Sequence, residues 1–205
     1  MRDYLLLLLF TGLRRNEALC LRWENVDLQR GTVCAVDTKN RSNHVLPMGR
    51  YLWDLMRRRR ACDSEWVFAN PLTRKRITDP HRQIVNVVAK SGVPFSPHDL
   101  RRTFASIVSR LGDRLNYYTT KRLLNHRTSD VTQGYIQFDL EQLRSAMQAV
   151  EDFVLEKVGV AGERSKVTGQ QRTHEHVSVK RTPTYNQRFR FESMIGACFI
   201  ASTYD

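Results

Sequence analysis

Five cationic or imidazole side chains and one tyrosine in this sequence have the types and spacing that suit attack on a phosphodiester. His98 and Arg101 stand three apart in Ser96-Pro97-His98-Asp99-Leu100-Arg101-Arg102-Thr103, and His126 ends Leu123-Leu124-Asn125-His126, with Tyr135 nine residues further on. Arg14 in Thr11-Gly12-Leu13-Arg14 and Lys39 after a strand-like run complete the set. A hydroxyl attacking such an ester must approach an anion, tolerate charge growing on the non-bridging oxygens, and expel a poor alkoxide. Holding tyrosine as phenolate at pH 7 costs roughly 4 kcal/mol unless nearby cations lower its pKa. Arginine forks match phosphate oxygens and stay charged. A lysine or histidine can protonate the departing 5′-oxygen. Preorganised positive charge is then the largest catalytic contribution, and no metal ion is required.

Each residue alone has an ordinary explanation. His98-x-x-Arg101 can be a plain helix N-terminus, His126 a satisfied core histidine, and Tyr135 a packing residue among seven tyrosines. Arg14 can serve a surface ion pair with Glu17, and Lys39 can solubilise a hairpin. The joint order and spacing weigh against those readings.

The elements that would position these groups follow from the pattern. Leu5 to Phe10 is a core helix interrupted at Gly12. Thr11 can cap a second helix from about Leu13 to Trp23, where Arg14 and Glu17 share a face and the glutamate can orient the guanidinium. Thr32–Val36 and His44–Pro47 alternate as a hairpin with Lys39 at its mouth. Arg50 to Arg60 is a helix with Leu52, Leu55 and Met56 inward and four terminal arginines that complement its dipole. Trp66-Val67-Phe68 can be a further strand. Asp79-Pro80 opens a helix that Gly92 closes. Ser96-Pro97 opens another, with Leu100, Phe104, Ile107 and Leu111 on one stripe up to Gly112; its N-terminal end adds positive potential near His98 and Arg101. Tyr117–Asn125 is helical, and Thr128-Ser129-Asp130 can cap a short helix bearing Tyr135. Leu140, Leu143, Met147, Val150 and Val154 mark an amphipathic helix. From 160 to 205 the pattern lapses, and a disordered or loosely held extension is expected.

The chain has 205 residues and a net charge of +12, enough for one buried domain and suited to a polyanionic partner. A solvated basic surface or an anionic membrane would suit the charge as well. The apolar start of the chain is too short to span a bilayer and lacks a cleavage site. Cys20, Cys34, Cys62 and Cys198 show no metal-binding spacing, and Cys20 and Cys34 read as reduced core residues. His174-x-His176 has no supporting acidic or cysteine framework.

Taken in order, Thr11-Gly12-Leu13-Arg14-Arg15-Asn16-Glu17, Thr38-Lys39, His98-Asp99-Leu100-Arg101-Arg102-Thr103-Phe104, Leu124-Asn125-His126 and Thr132-Gln133-Gly134-Tyr135 resemble the tyrosine recombinases, also called phage-type integrases. The resemblance covers roughly residues 5–158 and is closest in form to integrases of prophages and genomic islands. It implies an α+β, mainly helical catalytic-domain fold with a small antiparallel sheet over residues 1–159, followed by the 160–205 extension. It implies that Tyr135 forms a 3′-phosphotyrosyl link, that Arg14 and Arg101 clamp the scissile phosphate, and that His98 and His126 complete the proton-transfer and phosphate-binding set. Lys39 would protonate the leaving oxygen and Glu17 would support Arg14. The reaction would need no cofactor, metal or ATP, because the phosphotyrosine retains the bond energy. Double-stranded DNA is the implied partner, with a homotetramer on DNA and a monomer otherwise, away from membranes, in the cytoplasm at the nucleoid. Relatives dock the helix after the tyrosine onto a neighbouring protomer; packing on its own domain is the alternative here. Arg102 stands where many relatives carry histidine. The chain begins shortly before Arg14, so a catalytic fragment or a truncated product without the N-terminal DNA-binding domains is expected. A non-catalytic DNA-binding remnant and a topoisomerase-like relaxer are the competing functional readings.

Overall fold

In the computed structural model the described residues are 1–38, 42–61, 64–112, 117–125, 140–159 and 193–199. The first element, α1 (Arg2–Thr11), buries Tyr4 through Thr11 on every face, so it is the central helix of the core. It stops because Gly12 takes φ 63, the left-handed geometry that favours glycine, and returns its N–H to the Leu8 carbonyl. A Cβ at Gly12 would lie 2.3 Å from the Phe104 ring, so the missing side chain also lets two helices approach.

The second helix is shorter than the expected span from Leu13 to Trp23. α2 covers Arg15–Leu19 with Arg14 at its N-cap, and a 3₁₀ turn follows at Trp23–Asn25. Thr11 does not cap it. As the last residue of α1, Thr11 donates its hydroxyl to the Leu7 carbonyl at 2.6 Å and accepts the Leu13 N–H at 3.3 Å.

The expected hairpin is present as β2 (Thr32–Ala35) and β3 (His44–Pro47), antiparallel with Val33 opposite Leu46 and Ala35 opposite His44. A two-residue strand β1 (Val26–Asp27), not anticipated, pairs with β2 and completes a three-stranded sheet in the order β1-β2-β3. Trp66 and Ala69 make only isolated bridges, to Arg22 and Arg76, in place of the expected strand. Val67 and Phe68 are nonetheless buried.

α3 (Arg50–Arg59) buries Leu52, Leu55 and Met56 as its spacing predicts. Its terminal arginines have structural tasks. Arg59 bonds the Val67 carbonyl at 2.8 Å and Asp3 at 2.9 Å, while Arg57 and Arg60 stack on Trp53 and Trp23. α4 (His81–Ser91) has Pro80 at its N-cap, one residue later than Asp79, and ends at Gly92 with φ 67. α5 (Pro97–Arg110) crosses α1 with Leu100, Thr103, Phe104, Ile107 and Val108 buried. α6 (Tyr117–Leu123) follows α5, and α7 (Leu140–Lys157) packs against β3 and α5.

α7 thus buries its stripe within its own chain, the second of the two alternatives for this helix. Its Glu151 carboxylate accepts the Tyr51 and Leu52 N–H groups at 2.7 and 3.0 Å, capping α3 where Gly49 has no side chain to do so. Residues 193–199 are helical, with Ile195 and Cys198 buried and Phe199 set edge-on to Phe10 and tilted against Tyr51. Burial pushes the Cys198 thiol up to about 12. Cys20, expected in the core, is exposed and receives a guanidinium hydrogen bond from Arg76. Cys34 is half-buried. Among the described residues no helix is long and apolar enough to cross a membrane.

Candidate active site

Arg14 leaves the left-handed turn after α1 in an extended conformation, φ −71 and ψ 153. Glu17, one turn into α2, accepts from the Arg14 backbone N–H at 2.8 Å and from its Nη1 at 2.8 Å. One carboxylate therefore fixes both the main chain and the guanidinium of the same residue. Arg14 stays about a third exposed while the Glu17 side chain is 9% exposed.

Arg101 arrives from the first turns of α5. That helix begins with a reciprocal cap: the Asp99 N–H donates to Ser96 Oγ at 3.3 Å, and the Ser96 N–H donates back to Asp99 Oδ2 at 3.0 Å. The Arg101 guanidinium donates from Nη1 to the Gly12 carbonyl and from Nη2 to the Leu124 carbonyl, the latter at 2.7 Å. It is thereby held between the end of α1 and the end of α6. Burial and the Arg14 charge lower the Arg101 pKa, with Glu17 acting in the opposite sense. The two guanidinium groups are therefore close enough for the charge of one to disfavour that of the other.

His98 lies on the first turn of α5 and is exposed. Arg102 is exposed beside Asp99 at 4.0 Å. The structure thus brings together Arg14, Glu17 and Arg101, with His98 one turn before Arg101. Lys39, His126 and Tyr135 lie outside the described residues, as do Cys62 and the His174-x-His176 pair. Among the described residues no group of three or more His, Cys, Asp or Glu is arranged to hold a metal ion.

Three contributors were not singled out from the sequence. Gly12 and Leu124 act through backbone carbonyls, for which the side-chain pattern gives no signal. His44 faces inward from β3 at 2% exposure, and its Nδ1 has no hydrogen-bond partner among the described residues. Burial and the Arg122 charge push its pKa down to about 4, against the backbone of Leu123 and the charge of Glu17. A histidine at an inward register of a strand was the available signal.

The profile of the phage integrase family matches residues 1–142. With its helical core, small antiparallel sheet and paired arginines, the chain belongs to the phage integrase family, the tyrosine recombinases. It is 30% identical over 156 residues to the tyrosine recombinase XerA of Thermococcus kodakarensis, covering 72% of this chain and 55% of that protein. It is 32% identical over 154 residues to the tyrosine recombinase XerD of Neisseria meningitidis serogroup B, covering 66% of this chain and 50% of that protein. The prophage integrase IntF of Escherichia coli K12 is 25% identical over 165 residues, covering 77% of this chain and 35% of IntF. The chain spans about half the length of the curated relatives it first matches. The fold is shared with the integrase from mycobacterium phage Brujita at a TM-score of 0.57, with 20% identity, over 74% of this chain and 51% of that one. It is also shared with the Tn1549 transposon integrase, solved in complex with circular intermediate DNA, at a TM-score of 0.51 with 18% identity, over 71% of this chain and 56% of that one.

Proposed function

We propose that this chain is the catalytic domain of a DNA strand transferase that cuts and rejoins double-stranded DNA through a 3′-phosphotyrosyl intermediate, in integration or excision. Arg14 and Arg101 clamp the scissile phosphate, and Glu17 sets the angle of Arg14. Tyr135 attacks phosphorus and releases a 5′-hydroxyl end, with Lys39 giving the leaving oxygen its proton. His98 and His126 complete the phosphate contacts and the proton transfers. The phosphotyrosyl bond conserves the energy of the cut strand, so a second 5′-hydroxyl religates it without ATP or a metal ion. The working assembly is a homotetramer on DNA, at the nucleoid. The observation that carries this reading is the Arg14–Glu17–Arg101 cluster, in which Glu17 orients the Arg14 guanidinium at 2.8 Å and the Gly12 and Leu124 carbonyls hold that of Arg101.

The test uses duplexes of randomised sequence that each carry a nick, so that a cut strand diffuses away and traps the intermediate. Wild-type protein is expected to form a covalent adduct that survives denaturation, and Tyr135→Phe to form none. Folded protein that binds the duplexes yet yields no adduct would replace this reading with that of a DNA-binding remnant. Supercoil relaxation without strand exchange would point to a relaxer.

A further inference from the structure

We propose that Asn125 and Thr38 are positioning residues that tie the loop entering Lys39 to the end of α6 entering His126, an inference that rests on the strand-transfer reading above. Asn125 Nδ2 donates to Thr38 Oγ1 at 3.1 Å, across 87 residues of sequence. Thr38 is 2% exposed. Its hydroxyl and its backbone N–H both donate to the Ser42 carbonyl, at 3.0 and 3.3 Å. The hydroxyl hydrogen is thus committed to Ser42, and the oxygen lone pair is what the Asn125 amide engages. The two bonds to Ser42 hold Thr38, just past the end of β2, against the residues that lead into β3.

Asn125 is itself well anchored. Its φ of 49 lies in the left-handed region that asparagine tolerates better than most residues. Its N–H donates to the Arg122 carbonyl at 3.1 Å. The preceding Leu124 carbonyl takes Arg101 Nη2. The end of α6 is therefore bound on one side to the phosphate-clamp arginine and on the other to the hairpin loop. Successive Cα atoms are about 3.8 Å apart, so a bond between Thr38 and Asn125 restricts where the chain can deliver the residue after each. Groups that transfer protons in a transition state must be held to within about 0.5 Å. A half-buried bond between side chains of two separate segments supplies such a constraint, whereas one within either segment would not.

The test compares Thr38→Val, Thr38→Ser, Asn125→Gly and the Thr38→Val/Asn125→Gly pair in the full chain. Glycine keeps the left-handed backbone and removes the side chain that carries the amide. The probes are a nicked duplex recovered from the wild-type adduct and the same duplex with sulfur replacing the bridging 5′-oxygen. A thiolate departs without a proton, so a misplaced Lys39 matters little for that substrate. On the all-oxygen duplex, Thr38→Val and Asn125→Gly should each slow adduct formation roughly tenfold, and Thr38→Ser should retain the wild-type rate. On the sulfur-bridged duplex both slow variants should come within about twofold of wild type, and the pair should be no slower than either single variant. Equal slowing on both duplexes, fully additive losses, or no slowing at all would overturn the positioning role. Wild-type protein that forms no adduct with the randomised nicked duplexes, so that no probe is recovered, would remove the strand-transfer reading and this inference with it.

Discussion

Glu17 accepts hydrogen bonds from the backbone N–H and the guanidinium of Arg14, both at 2.8 Å, and so joins the start of α2 to the orientation of one side chain. A carboxylate buried to 9% exposure and doubly engaged has little freedom to reorient, which makes Arg14 a preset donor. Glu17→Ala is expected to slow covalent adduct formation by about 10- to 100-fold, the equivalent of losing bonds to a charged group. DNA affinity should change far less, because Arg14 keeps its charge. Parallel measurement of adduct rate and of binding checks this. Equal losses in both would assign Glu17 a role in folding only.

Gly12 is required twice over, by its φ of 63 and by the 2.3 Å that would separate a Cβ from the Phe104 ring. Gly12→Ala should destabilise the fold by about 3 kcal/mol, combining left-handed strain with overpacking. It should also disturb the carbonyl that receives Arg101. Urea denaturation gives the first quantity. A loss below about 1 kcal/mol would mean that α1 and α5 can separate without cost, contrary to their packing.

His44 predicts an acid limit to stability. Its pKa is depressed from 6.5 to about 4 by burial and by Arg122, with Arg101 acting in the same direction and the Leu123 backbone and Glu17 against it. As pH falls from about 6.5 to about 4, the unfolded chain gains a proton that the folded chain refuses, so stability present above pH 6.5 is lost in that window. The full effect is on the order of 3 kcal/mol. His44→Gln should flatten the pH dependence of the urea midpoint across the window. An unchanged slope would contradict the neutral, buried imidazole.

Much of this architecture is legible in local spacing. The apolar runs of α1 and α5, the alternation of β2 and β3 and the stripe of α7 each announce their element. So does the spacing of Arg14 and Glu17, since an i, i+3 pair needs no tertiary information. What escaped the sequence depends on contacts between distant segments. α2 is cut short at Leu19 because the chain turns into a 3₁₀ segment that pairs with the sheet and with residues near Glu65. Cys20 follows its helix to the surface, so its apolar neighbours mislead. The cap of α3 comes from Glu151, 100 residues beyond Tyr51, in a region where the helix's own N-cap is glycine. The carbonyl cradle of Arg101 is invisible for the same reason: Gly12 and Leu124 act through the main chain.

In the proposed reaction Arg14 and Arg101 together receive one phosphate in transit between strands. Replacing Arg101 with alanine and measuring the adduct rate beside equilibrium binding to the same nicked duplex tests it most directly. A rate reduced by about 100-fold or more, with affinity within about threefold of wild type, is the predicted result for a contact made chiefly in the transition state. A rate and an affinity that fall by the same factor would contradict the clamp and reduce Arg101 to a general DNA contact.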